Sequence, residues 1–241
     1  MVMPKITLRL TIALLTFAVG IAATAFWLTR QAPKIEKLET TPCQWTFSGG
    51  KNLQRTTTNE PYFPAGTFYS DKKVDEMASG FNSDRLATMN EPVLYSLKGT
   101  DIETYRFSWF RSFHPAVAIR IWRAGNERCM SVKQLDGLGD YKDGEYVLPK
   151  NLAVNQVRPL TESEWDNFIG LLKGTHFGEM SGRGSDDRAN DGASWIMEGN
   201  NGRQYHVVER QNPKDTDYGK VGVYLIKISG IKVDESRDEL Y

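Results

Sequence analysis

The sequence predicts an α+β domain: an antiparallel β-sheet with two packed helices, preceded by an N-terminal transmembrane helix. Three observations carry this. Between Glu103 and Leu135 lie three consecutive stretches of alternating apolar and polar residues, the period of a half-buried strand. A capped segment of helical period begins at Thr161. Leu10–Thr29 is an uncharged run of hydrocarbon-core length.

The chain has 241 residues, and Lys+Arg and Asp+Glu are both 30, so the formal net charge is zero. A nucleic-acid binder usually carries a basic excess, so that class is set aside. With 25% charged and 11% aromatic residues, the composition is that of a packed globular protein. Residues 1–30 read as a signal anchor or signal peptide, 31–60 as a linker, and 61–241 as a single soluble α+β domain.

Lys5 and Arg9 precede the uncharged run and Arg30 closes it. As a helix it spans roughly 30 Å, the thickness of a bilayer core. Trp27 lies where an indole suits the headgroup region. Ala23-Thr24-Ala25 matches a cleavage site, which leaves secretion after cleavage near Ala25 as the alternative. Phe26, Trp27 and Leu28 continue the apolar run past that site and favour an uncleaved anchor. Lys34 and Lys37 on the far side nearly balance the flanking charges, so a tethered cytoplasmic domain is a further alternative to a periplasmic or cell-surface one. Cys43 and Cys129 form a possible disulfide, favoured only in an oxidising compartment.

Asp71–Met89 carries helical fragments, with Met77, Phe81 and Leu86 as apolar anchors, and Pro92 closes the stretch. In Glu103–Phe113, Tyr105, Phe107, Trp109, Arg111 and Phe113 share one face; Arg106, Ser108, Phe110 and Ser112 share the other. His114-Pro115 breaks this strand. Ala116–Arg123 follows, then the turn Ala124-Gly125-Asn126-Glu127 and a third strand, Arg128–Leu135. A fourth strand is expected near Asn155–Leu160. Thr161 and Glu164 form a capping box, and Trp165, Phe168, Leu171 and Leu172 follow at helical spacing up to Gly174. Ala193–Glu198 and Arg203–Arg210 read as a hairpin across residues 199–202, with Glu198 opposite Arg203. Tyr218–Ile231 reads as a last helix, although its β-branched residues also suit a strand.

At YRFSWFRSFHPAVAIR (Tyr105–Arg120) and DGASWIMEGNNGRQYHVVERQNP (Asp191–Pro213) the chain resembles a family of uncharacterised bacterial proteins. These have a Y-R-F-x-W-x-R-x-F-H-P-like strand and a D-G-A-x-W-x-x-E-G-like hairpin. The EPVLY stretch from Glu91 and the helix capped at Thr161 are also similar, and the resemblance covers roughly residues 80–231. It implies one domain and no assigned activity, so it brings no catalytic residues.

No catalytic signature is complete: Ser70-Asp71-Lys72-Lys73 satisfies S-x-x-K by spacing but has no companion motifs. Candidate ligand-binding residues are Arg111, His114, Arg120, Asp191, Trp195, Glu198, His206 and Arg210. The arginines, with Arg106, lie on or beside aromatic strands, where guanidinium groups take carboxylate or phosphate or stack on indoles. The simpler reading is an Arg–Asp/Glu lattice over an exposed sheet face. His114 or His206 with Asp191 or Glu198 would supply the acid–base pair or metal ligands of a hydrolase-like enzyme. The simpler reading there is structural histidines at strand ends. Asp186, Asp187 and Asp191 cluster in a glycine-rich loop without EF-hand spacing. The leading expectation is a non-enzymatic envelope domain that binds a partner or ligand. No cofactor is implied, and the expected partners are the membrane and an envelope protein.

Overall fold

The computed structural model describes Cys43, residues 61–97, 100–183 and 191–233, and Leu240. The expected membrane run, most of the linker, and Asp186 and Asp187 lie outside these residues. Among the described residues no helix is long and apolar enough to cross a membrane.

Helix α1 spans Lys72–Thr88, with the Asp71 side chain accepting the Val74 N–H at its start. The expected anchors Met77 and Phe81 instead face solvent, at 61% and 40% exposure. The buried face is Asp75, Ser79, Asn82, Ser83 and Leu86, small and mostly polar. Its polarity has a job: the Asp75 carboxylate accepts the N–H groups of Gly66, Phe68 and Tyr69. The Ser83 hydroxyl accepts the Tyr62 N–H. The helix therefore organises the loop that precedes it, and Asn90, at φ +51°, turns the chain away.

Strands β1 (Ile102–Arg111), β2 (Val117–Ala124) and β3 (Glu127–Leu135) form the expected meander. A small separate hairpin follows, β4 (Asp140–Lys142) and β5 (Glu145–Val147), which the sequence pattern does not announce. Then come β6 (Leu152–Pro159), α2 (Glu162–Gly174), a single 3-10 turn (Phe177–Glu179), β7 (Ala193–Asn200), β8 (Tyr205–Gln211) and α3 (Asp217–Ser229). The main sheet has the order β6-β3-β2-β1-β7-β8, and each neighbouring pair runs antiparallel. Strand β1 is thus central, joined to β7 from far along the chain. Glu198 lies across from Val207 on β8 and from Arg106 on β1; Arg203 lies in the turn, so the expected Glu198–Arg203 pair does not form.

Both faces of the sheet are covered. Phe107, Trp109, Val117, Ile119, Trp195 and Met197 meet α2 and α3 through Trp165, Phe168, Val221 and Leu225. The capping box of Thr161 and Glu164 starts α2, and Thr216 caps α3. Gly222 lets α3 approach closely, because a Cβ there would lie 2.5 Å from the Trp195 ring. On the opposite face Phe110, Ala118, Leu135 and Ile196 meet Tyr62, Phe63, Phe68, Leu86 and Met89. The sequence predicted two helices on one face. The fold has a third helix, and the other face is roofed by residues 61–97. Each fully buried large apolar side chain contributes about 2–3 kcal/mol, so neither face could be left open.

Candidate functional site

Beneath that roof lies a row of buried charge. Antiparallel register aligns Glu198 on β7, Arg106 on β1, Arg120 on β2 and Ser131 on β3 across the sheet. The Arg106 Nε donates to Glu198 Oε2 at 2.7 Å, and its Nη1 to the Pro92 carbonyl at 2.6 Å. Glu91 reaches down from the roof: Arg120 Nε donates to its Oε2 at 2.8 Å, and Lys133 Nζ lies 3.1 Å from its Oε1. Lys133 also donates to the Met89 and Asn90 carbonyls at 2.8 Å each. Tyr205 donates to Glu198 Oε1 at 2.9 Å, and Tyr62 to the Glu91 carbonyl. The Glu91, Arg106 and Glu198 side chains have no solvent exposure.

Burial alone would raise the Glu91 carboxyl, but Arg120, Lys133 and Arg106 outweigh it and hold it at about 2. Glu198 is pushed up instead: complete burial dominates, against the pull of Arg106. The signs fix the acid behaviour. A depressed Glu91 stabilises the fold fully above the ordinary carboxylate value, and that stability is lost as pH falls from about 4.5 towards 2. A raised Glu198 acts above about 4.5, where stability declines as pH rises through its folded value. Chemical denaturation across pH is therefore expected to show maximum stability on the acid side of neutrality and a steep loss of about 3 kcal/mol below pH 4.5. The Glu91→Gln variant should show a much smaller limb, with a remainder from Glu164, which its bond from Arg158 also holds at about 2; a limb of unchanged height would reject the assignment.

The fold divides the sequence-predicted residues between two faces. Arg120 and Glu198 belong to the buried row. Trp195 is fully buried in the opposite core. Arg111 holds its guanidinium 3.6 Å from the Trp109 ring centre, and Arg210 lies over Tyr218 while donating to the Ser181 carbonyl. His206 faces the side opposite to Glu198, because Gly199 is its register partner. Its Nε2 lies 3.0 Å from the Met180 carbonyl, which fixes it as a donor. The expected Glu198–His206 pair is therefore separated by the sheet. His114 and Asp191 flank turns at one sheet end, joined by the Ser112 N–H to Gly192 carbonyl bond. Arg106 and Arg120 do form an arginine–glutamate row, but it is buried rather than exposed. Among the described residues no cluster of three or more His, Cys, Asp or Glu side chains could hold a metal ion. Cys43 and Cys129 are joined by a disulfide, with Cα atoms 5.5 Å apart.

Open, ligand-accessible space lies elsewhere. A cleft of about 590 Å³ opens between the ends of β1 and β2 and one flank of α2, lined among others by Glu103, Tyr105, Arg123, Trp165, Asp166, Lys173, His176 and Glu179. Register sets Glu103 opposite Arg123. Glu103 accepts from Tyr105 at 2.8 Å and from Arg123 at 2.6 Å, and the Arg123 guanidinium stands 5.4 Å from the Trp165 ring centre. A second cleft of about 460 Å³ is lined by Pro64, Tyr95, Gly178, Arg203, Gln204, Tyr205 and His206. A third, of about 480 Å³, lies between α1 and β5 and is largely apolar. None of the first cleft's residues was singled out as a ligand contact from sequence. The usable signals were the cross-strand spacing of Glu103 and Arg123, and the capping box that starts α2 and so places Trp165 and Asp166 near its N-terminal end.

Comparison with protein-family models, with curated proteins and with solved structures finds no match to this chain.

Proposed function

We propose that this chain is a membrane-anchored, extracytoplasmic domain that binds a ligand or protein partner in the cleft between α2 and the β1–β2 sheet end. The carrying observation is the preorganised cleft wall. Glu103 holds both the Tyr105 phenol and Arg123, and the Arg123 guanidinium lies within cation–π distance of Trp165. Polar groups already fixed in place lose little freedom on binding, which favours recognition. Two features support the placement. Leu10–Thr29 has the length and flanks of a signal anchor, and a disulfide between Cys43 and Cys129 persists in oxidising compartments.

The test is a thermal-shift screen of polar metabolites and peptides against the full-length protein in detergent. A genuine ligand at one hundred times its Kd stabilises by about 2.7 kcal/mol, on the order of 5–10 °C in Tm for a domain of this size. That shift should disappear in Arg123→Ala. Stabilisers indifferent to Arg123→Ala, or a screen without a saturable hit, would remove the reading. Placement is checked separately: carbonate-washed membranes should retain the protein, and protease added from outside should reach the domain.

A further inference from the structure

We infer that the first two clefts are halves of one site straddling the Phe177–Glu179 turn, and that its ligand is a short peptide with free termini. The inference rests on the binding reading above and extends it. Gly178 lines both clefts, so they meet across that turn. The turn is a firm saddle. Phe177 is buried beneath it, its ring edge-on to His206 with centroids 5.0 Å apart, and His206 is bonded to Met180 just beyond. On the far side Tyr205 is aligned by its bond to Glu198 and packs edge-on against Tyr95. The buried charge row thus fixes one wall of the groove.

The two halves carry opposite electrostatic character. In the first, Glu103 and Arg123 answer each other, leaving Asp166 and Glu179 against Lys173, an acidic balance. In the second, Arg203 is the one formal charge among the lining residues, beside two phenols. A ligand with an ammonium group at one end and a carboxylate at the other matches that polarity, with Ile169 and Leu172 available to apolar side chains between. The termini of a short peptide have that chemistry. The peptide would lie with its N-terminus towards Asp166 and Glu179 and its C-terminus at Arg203.

Gly178 provides the decisive variant. A Cβ there meets nothing within 4 Å, so Gly178→Trp is accepted without a clash at its Cβ and sets an indole at the residue the two clefts share. Binding of a panel of tetrapeptides to the full-length protein in detergent would be measured by calorimetry, with free, N-acetylated and C-amidated forms compared. Free peptides should bind, Gly178→Trp should abolish binding at unchanged Tm, and blocking either end should weaken it at least tenfold. The acetylation penalty should vanish in the Asp166→Asn/Glu179→Gln double variant, and the amidation penalty in Arg203→Ala. Binding that ignores the blocked ends, or survives Gly178→Trp, overturns the inference. Binding that needs Arg123 but not Gly178 or Arg203 overturns it while sparing the single-cleft reading. A panel without any binder also overturns it, leaving that reading to its own screen.

Discussion

Glu91→Ala is expected to destabilise the domain by about 3–5 kcal/mol, as removal of one partner from a buried ion pair does. The reason is the imbalance it leaves. Arg120 and Lys133 both contact the Glu91 carboxylate, and Arg106 lies 3.7 Å from it. Without Glu91, Arg120 and Lys133 lose the carboxylate they share, and Glu198 is held by Arg106. Desolvation of an unanswered cation is far more expensive than the net worth of the pair itself. The intact pair adds little by comparison, so Glu91→Ala combined with Arg120→Leu should recover part of the loss. Urea unfolding of both variants measures this. A loss under about 1 kcal/mol for Glu91→Ala would mean that water reaches the row.

The second large effect concerns the disulfide. Cys43 and Cys129 are 86 residues apart, so the bridge closes a long loop in the unfolded chain. On the loop-entropy model, losing it destabilises the fold by about 4.5 kcal/mol. Cys43→Ser and a reduced wild-type sample should therefore lose similar stability, and adding reductant to Cys43→Ser should change nothing more. A reductant effect that persists in the variant would place the stabilisation elsewhere.

What could be read from sequence was what is local. The alternation in Glu103–Phe113, the break at His114-Pro115 and the capping box at Thr161 each name their element, because the signal lies within a few residues. Helix α1 shows only fragments of helical period in sequence because its inward face is Asp75, Ser79, Asn82 and Ser83, small and polar, with Asp75 and Ser83 bonded to the preceding loop. Met77 and Phe81, which hydropathy reads as anchors, are exposed. Sequence names Glu198 and Arg120 as ligand-binding candidates by residue type; in the fold their charged partners are Arg106 and Glu91, and these pairings are set by sheet register and the roof across long stretches of chain. Arg106 and Glu198 are 92 residues apart, and no local pattern fixes that pairing. The clefts are harder still, since each is assembled from the ends of several elements.

The seam between β1 and β7 also bears on how the chain finds its fold. The β1–β2–β3 meander and the β7–β8 hairpin can each zip from a nearby turn, but joining them demands a late, long-range closure. Arg106 and Glu198 sit on that seam, four residues in from the start of β1 and two from the end of β7. A closure slipped by one residue would turn one of the two charges to the opposite core and strand the other beneath the roof. Such misregistered products are penalised by several kcal/mol. The ion pair therefore acts as a proofreader of strand alignment, a task that demands a charge in each half of the sheet and none in solvent.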